Sequence, residues 1–158
     1  MTFPIDEAVS RLEKTVAALH TPIVDLIAVQ TRDPFKVLVA TILSARTKDD
    51  VTAAAAGRLF AQAATPEQLA RLDASAIEKL IFPVGFFRNK ARHLSLLPAA
   101  LAGKFEGRVP SAIDDLLTLP GVGRKTANLV RSVAFGLPAI CVDTHQLEIG
   151  RASCRERV

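Results

Sequence analysis

Tryptophan and tyrosine are missing from these 158 residues, and the aromatic share of 5% is phenylalanine alone. That leaves little with which to build a stacking platform for single-stranded nucleic acid, where bases lie on successive aromatic faces. Cysteine is scarce as well: Cys141 and Cys154 do not make a disulfide framework. No apolar run approaches the roughly 20 residues that cross a bilayer, so no membrane partner is expected. The opening Met1-Thr2-Phe3-Pro4-Ile5-Asp6-Glu7 has neither the basic segment nor the apolar stretch of an export signal. A reducing cytoplasm is the expected location.

Apolar residues, by contrast, make up 49% of the chain, ample for the core of one ordinary domain. Base is also in excess, with a net charge of +4. The excess is local. Between positions 84 and 131 stand Arg88, Lys90, Arg92, Lys104, Arg108, Arg124, Lys125 and Arg131, against Glu106, Asp114 and Asp115. Such a cluster is ordinarily a solvated face. Here it flanks a glycine turn, which points to nucleic acid as the partner.

The patterning is helical throughout, with no period-two segment, and implies an all-α bundle. Ile5, Val9, Leu12, Val16 and Leu19 line one face of a first helix that stops before Pro22. Asp33 caps a second helix, with Pro34 at its first position and a stripe of Phe35, Leu38, Val39, Ile42 and Leu43. Thr47 and Asp50 are candidate caps of a third, carrying Val51, Ala54, Ala55, Leu59 and Phe60. Thr65-Pro66 opens a fourth, Ser75 is a candidate cap of a fifth with Ile77, Leu80 and Ile81, and a sixth covers about 88–101.

The most informative run is Leu119-Pro120-Gly121-Val122-Gly123-Arg124-Lys125-Thr126. Before it, residues 110–117 read as a short helix with Ser111 as N-cap and Asp114 at the capping-box position. Pro120 discourages helix at Leu119. Gly121 and Gly123 permit positive φ and leave no Cβ in the way of a ligand. From Arg124 the pattern is helical again, with Ala127, Val130 and Ala134 on one face. The unpaired N–H groups that open this helix lie at its positive end and suit a phosphate. A bare Gly-x-Gly is equally a plain helix–helix turn.

Lys125 follows the turn, and Val142-Asp143-Thr144-His145 places a carboxylate eighteen residues beyond it. By position alone Lys125 is a solvated lysine and Asp143 an N-cap. In a cleft the pair would have chemistry open to it. An amine attacks carbon only when neutral, a form favoured by a neighbouring Arg124, a positive helix end and burial. A carboxylate steadies positive charge developing on a sugar.

The string from Leu119 to Ala127 resembles the helix–hairpin–helix signature of the endonuclease III family of DNA glycosylases. The likeness extends to Asp33-Pro34-Phe35, Leu43-Ser44-Ala45-Arg46-Thr47-Lys48-Asp49, Val84-Gly85-Phe86-Phe87-Arg88-Asn89-Lys90-Ala91 and Val142-Asp143-Thr144-His145, and covers roughly 33–145. It implies the helix–hairpin–helix DNA glycosylase fold: a six-helix domain over 26–137 with its hairpin at 111–135, and part of a second helical domain from 1–25 and 138–147. The cleft would lie between them, with Lys125 on one wall and Asp143 on the other. The implied function is base excision repair by a bifunctional N-glycosylase and apurinic/apyrimidinic lyase. It would remove oxidised pyrimidines from duplex DNA through a lysine Schiff base.

On this resemblance Lys125 is the nucleophile and Asp143 its essential acid. Leu119, Gly121, Val122, Gly123, Arg124, Thr126 and His145 contact DNA. Arg46, Val84 and Phe86 occupy the wedge positions that fill the gap left by a flipped nucleotide. Many relatives carry glutamine where Arg46 stands. One of Phe86 and Phe87 is expected in the core, and Asp49 matches a polar position near the lesion pocket. The partner is double-stranded DNA with a damaged base or abasic site, bound by a monomer associated with the nucleoid. An adenine-type mismatch glycosylase is a weaker match, because that branch lacks the hairpin lysine and uses an early glutamate, and 43–50 holds none. A non-catalytic helix–hairpin–helix DNA-binding module is the third reading.

The resemblance breaks at the C-terminus. Intact relatives carry four cysteines holding a 4Fe–4S cluster, and those ligands are absent here, so neither cofactor nor metal is expected in this chain. Residues 148–158 look like translated adapter sequence joined to a truncated gene, a non-native tail. Truncation would leave Ile5, Leu12 and Val16 without their packing partners, and weak or no activity is expected of the 158-residue chain.

Overall fold

The computed structural model describes residues 4–16 and 21–142. Among them the chain is helical and holds no strand: α1 (Ile5–Val16), α2 (Ile23–Thr31), α3 (Pro34–Ser44), α4 (Asp49–Gln62), α5 (Pro66–Leu69), α6 (Ala74–Ile81), α7 (Phe87–Phe105), α8 (Ile113–Leu117) and α9 (Arg124–Phe135). The all-α expectation holds.

Helix α3 is the hub. Its residues from Val37 to Leu43 are all buried, and it packs against α2, α4, α7 and α9. A helix apolar on every side belongs in an interior. Its one buried hydroxyl, on Thr41, donates to the Val37 carbonyl at 2.7 Å, so no polar group is stranded. Leu59, Leu69, Ile77, Ile81, Leu94, Leu97, Leu101 and Leu116 complete the core. Each such side chain contributes about 1.5–3 kcal/mol by leaving water.

Asp33 caps α3 as expected, accepting from the Phe35 N–H at 2.9 Å ahead of Pro34. Thr65 caps α5 through the Gln68 N–H at 3.3 Å. Three other caps differ from expectation. Asp73, not Ser75, caps α6, accepting from the Ala76 N–H at 2.7 Å. Lys48 precedes α4 without a side-chain cap, and Ala112, not Ser111, does so for α8. Helix α2 has no counterpart in the sequence reading, because Pro22 and Asp33 bracket a run too evenly apolar to show a period.

The apolar stripe of α1 is open to solvent, with Ile5 64% and Leu12 62% exposed. Val29 on α2 and Ile140 beyond α9 are exposed as well.

Candidate nucleic-acid interface

Two features stand against α7: the hairpin between α8 and α9, and a pair of tight turns that follow α3 and α6. Gly121 takes φ +77° in the hairpin, and its backbone leans on α7. A Cβ there would lie 3.0 Å from both Cβ and Nδ1 of His93. The Val122 N–H closes the turn on the Leu119 carbonyl at 3.2 Å. Gly123 precedes α9 at φ −97°, so the positive φ expected there is not found, and no side chain caps the helix. Its N-terminus is the positive end of the helix, where an anion is favoured.

The side chains of this turn divide sharply. The side chains of Leu119 and Val122 are buried in the core, so any DNA contact from these two positions is through the backbone. Ala127 and Val130 hold α9 to the same core. Arg124 and Lys125 are exposed and Thr126 is half-buried. The burial expected for Lys125 is not found in the described residues. The chain returns to this spot after α9: the Asn128 amide donates to the Ile140 carbonyl at 3.0 Å, and the Cys141 thiol to the Lys125 carbonyl at 3.2 Å. Asp143 and His145 lie outside the described residues, as does the tail from 148 to 158.

The second feature joins two loops distant in sequence. Ser44-Ala45-Arg46-Thr47 closes with the Thr47 N–H on the Ser44 carbonyl at 3.0 Å. With Ala45 at φ −55°, ψ 117° and Arg46 at φ 54°, this is a type II turn whose third position is arginine. Val84-Gly85-Phe86-Phe87 closes likewise, Phe87 N–H to Val84 carbonyl at 3.1 Å, with Phe86 third at φ 57°. The Arg46 guanidinium sits 5.5 Å from the centre of the Phe86 ring. Phe86 is 59% exposed, and an open hollow of about 450 Å³ beside it is lined by Phe86, Phe87, Arg88 and Asn89. Val84, expected with them at the wedge, is buried in the core and cannot reach DNA. Phe87 packs against the core, as expected of one of the pair.

Two side chains have partners that the sequence did not reveal. The Asp49 carboxylate accepts from the Ile23 N–H at 3.1 Å, so it caps α2. Lys90, counted among the surface bases, is 7% exposed. Its ammonium donates to the carbonyls of Leu43 (2.8 Å) and Ala45 (2.6 Å) and to Thr47 Oγ1 (3.2 Å). Burial lowers its pKa from 10.5 to about 8. The signal was present: Lys90 shares its helix face with Leu94, Leu97 and Leu101.

Residues 39–153 match the HhH-GPD superfamily of base excision DNA repair proteins. Endonuclease III of Thermotoga maritima is 46% identical over 72% of this chain and 53% of its own length. The endonuclease III-like protein 1 of Mus musculus is 43% identical over 70% of this chain and 37% of its own. A non-covalent endonuclease III–DNA complex superposes with a TM-score of 0.80 at 38% identity, covering 95% of this chain and 68% of that one. The chain belongs to the endonuclease III family. It spans about half or less of the length of the curated relatives it matches. A covalent endonuclease III–DNA intermediate with an estranged adenine aligns equally well, with a TM-score of 0.80 at 39% identity. The 158-residue chain has two cysteines, Cys141 and Cys154, where a 4Fe–4S cluster takes about four thiolates. Among the described residues no group of three or more His, Cys, Asp or Glu is placed to hold a metal, and no helix is long and apolar enough to cross a membrane.

Proposed function

We propose that this chain carries the lesion-binding and lyase chemistry of a bifunctional DNA glycosylase acting on oxidised pyrimidines in duplex DNA. The observation that carries the reading is the position of Lys125. It is an exposed lysine in the first turn of α9, directly after the Gly121–Gly123 turn, and the segment leading to Asp143 is anchored to its carbonyl through Cys141. A phosphate bound at the turn would bring the neighbouring deoxyribose within reach of that amine.

The neutral Lys125 amine attacks C1′ as the bond from C1′ to the base breaks, and the base leaves with the bonding pair and a proton. Opening of the sugar ring converts the adduct to an iminium. Loss of a C2′ proton then expels the 3′ phosphate. We assign Asp143 the support of positive charge at C1′ as the base departs. Arg46 and Phe86 enter the duplex where the nucleotide has left, Phe86 taking its place in the stack and Arg46 meeting the widowed base. The relative trapped covalently on DNA supports this chemistry.

Borohydride reduction tests it in a single turnover. The protein on abasic-site duplex DNA should give a stable protein–DNA adduct that Lys125→Ala abolishes. Retained duplex binding without an adduct, in this chain and in an intact-length version alike, overturns the lyase reading in favour of a non-catalytic module.

A further inference from the structure

Arg46 and Phe86 are held from behind by one buried residue. Lys90 spends all three ammonium protons on the first turn, on the carbonyls of Leu43 and Ala45 and on Thr47 Oγ1. Its backbone N–H bonds the Phe86 carbonyl at 3.1 Å, which fixes the second turn. Thr47 links the two again, since its Oγ1 also accepts the Gly85 N–H at 3.2 Å. The loops are pressed so close that a Cβ on Gly85 would stand 2.5 Å from the Arg46 carbonyl oxygen. The carbonyls that Lys90 engages end α3, the negative pole of that helix, so the cation suits its place.

We propose that Lys90 is a positioning residue for lesion recognition: its ammonium, with Thr47, locks the Arg46 and Phe86 turns into a single preformed wedge. The proposal rests on reading Arg46 and Phe86 as the groups that enter the duplex. A wedge assembled in advance spares the ordering of two loops at the moment of binding. Lesion binding would thus depend on a side chain that never touches DNA. Binding to undamaged duplex, which uses the hairpin amides and surface bases, would not.

The 158-residue protein and its Lys90→Met and Thr47→Val variants would be compared on two duplexes, one intact and one with a tetrahydrofuran abasic analogue opposite 2-aminopurine. Wild type should prefer the abasic duplex and raise 2-aminopurine fluorescence as the opposing base is unstacked. Lys90→Met should reduce both the preference and the fluorescence rise about tenfold, the loss of a charged hydrogen-bond hub. Thr47→Val should reduce them in part. Affinity for intact duplex should stay within about twofold. Folded variants with unchanged preference and fluorescence overturn the proposal, as does an equal loss on both duplexes. If Lys90→Met fails to fold, Thr47→Val decides alone. A wild type without abasic preference removes the proposed function and this inference with it, whereas a failure of the variants alone leaves the function standing.

Discussion

Replacing Gly85 by alanine should damage this protein far more than replacing Gly57, although both changes add one methyl group. At Gly85 the new Cβ meets the Arg46 carbonyl oxygen at 2.5 Å and Thr47 Oγ1 at 3.4 Å. The first contact is backbone, in a turn bonded to Lys90 and closed by Thr47, so it cannot swing aside. The loops must part by roughly an ångström, an overpacking strain of about 1–3 kcal/mol. Stretching the Gly85 N–H bond to Thr47 adds up to about 1 kcal/mol. At about 2–4 °C per kcal/mol for a chain of this size, the melting midpoint should fall by several degrees. Gly57 lies exposed inside α4 with nothing within 4 Å of its added Cβ. Alanine there relieves glycine's entropic penalty and should raise stability by about 0.5–1 kcal/mol. Thermal melts followed by circular dichroism would read both. A Gly85→Ala protein as stable as wild type, beside a stabilised Gly57→Ala, would show that the two loops are not in fixed contact.

Phe86→Gly removes an aromatic ring yet should leave stability within about 1 kcal/mol of wild type, because relief of the left-handed backbone offsets the entropy glycine adds; a loss above about 2 kcal/mol in urea would mean that the ring is there for packing. The second expectation concerns pH. Between pH 8 and 10.5 the folded protein sheds the Lys90 proton that the unfolded chain keeps, so stability should rise with pH across that window, by at most ~3 kcal/mol. Urea titrations at both ends of the window should show that rise in wild type and lose it in Lys90→Met; an equal rise in both would assign it to other groups.

The parts of the fold that were legible in the sequence are those set by local chemistry. Asp33-Pro34 and Thr65-Pro66 open α3 and α5 because a short acceptor side chain and a fixed φ act within one turn of chain. The hairpin was legible for the same reason, since Gly121 is the one residue of the turn that needs positive φ. What sequence spacing could not tell is which way a side chain faces once two distant elements meet. Leu119, Val122 and Val84 stand in motifs associated with DNA, but an apolar side chain next to a core joins the core. That Asp49 caps α2 was equally hidden, because the N-terminus of that helix lies across from it, 26 residues away. Lys90 was hidden by the habit of reading lysine as surface. Its helix face said otherwise, but only the end of α3 supplies the oxygens that make a buried ammonium tolerable.

The backbone itself separates the Arg46 and Phe86 turns from the rest of the molecule. Among the described residues, four other than glycine have positive φ: Arg32, Arg46, Phe86 and Glu106. Arg32 and Glu106 end α2 and α7, where a left-handed residue is the ordinary way for a helix to stop. Arg46 and Phe86 have no such reason. Each stands third in a turn that favours glycine or asparagine, at a cost of about 1–2 kcal/mol. Glycine in both places would make a more relaxed structure with nothing to insert. The strain is affordable only where the surroundings over-determine the conformation, and here they do. Charge-assisted hydrogen bonds of about 1.5–3 kcal/mol apiece join Lys90 to the first turn, and a glycine in contact with that turn's backbone fixes the second. Large side chains at two glycine positions, packed on each other and braced by a buried cation, suit the wedge proposed above, whereas a simple pair of connecting loops has no need of them.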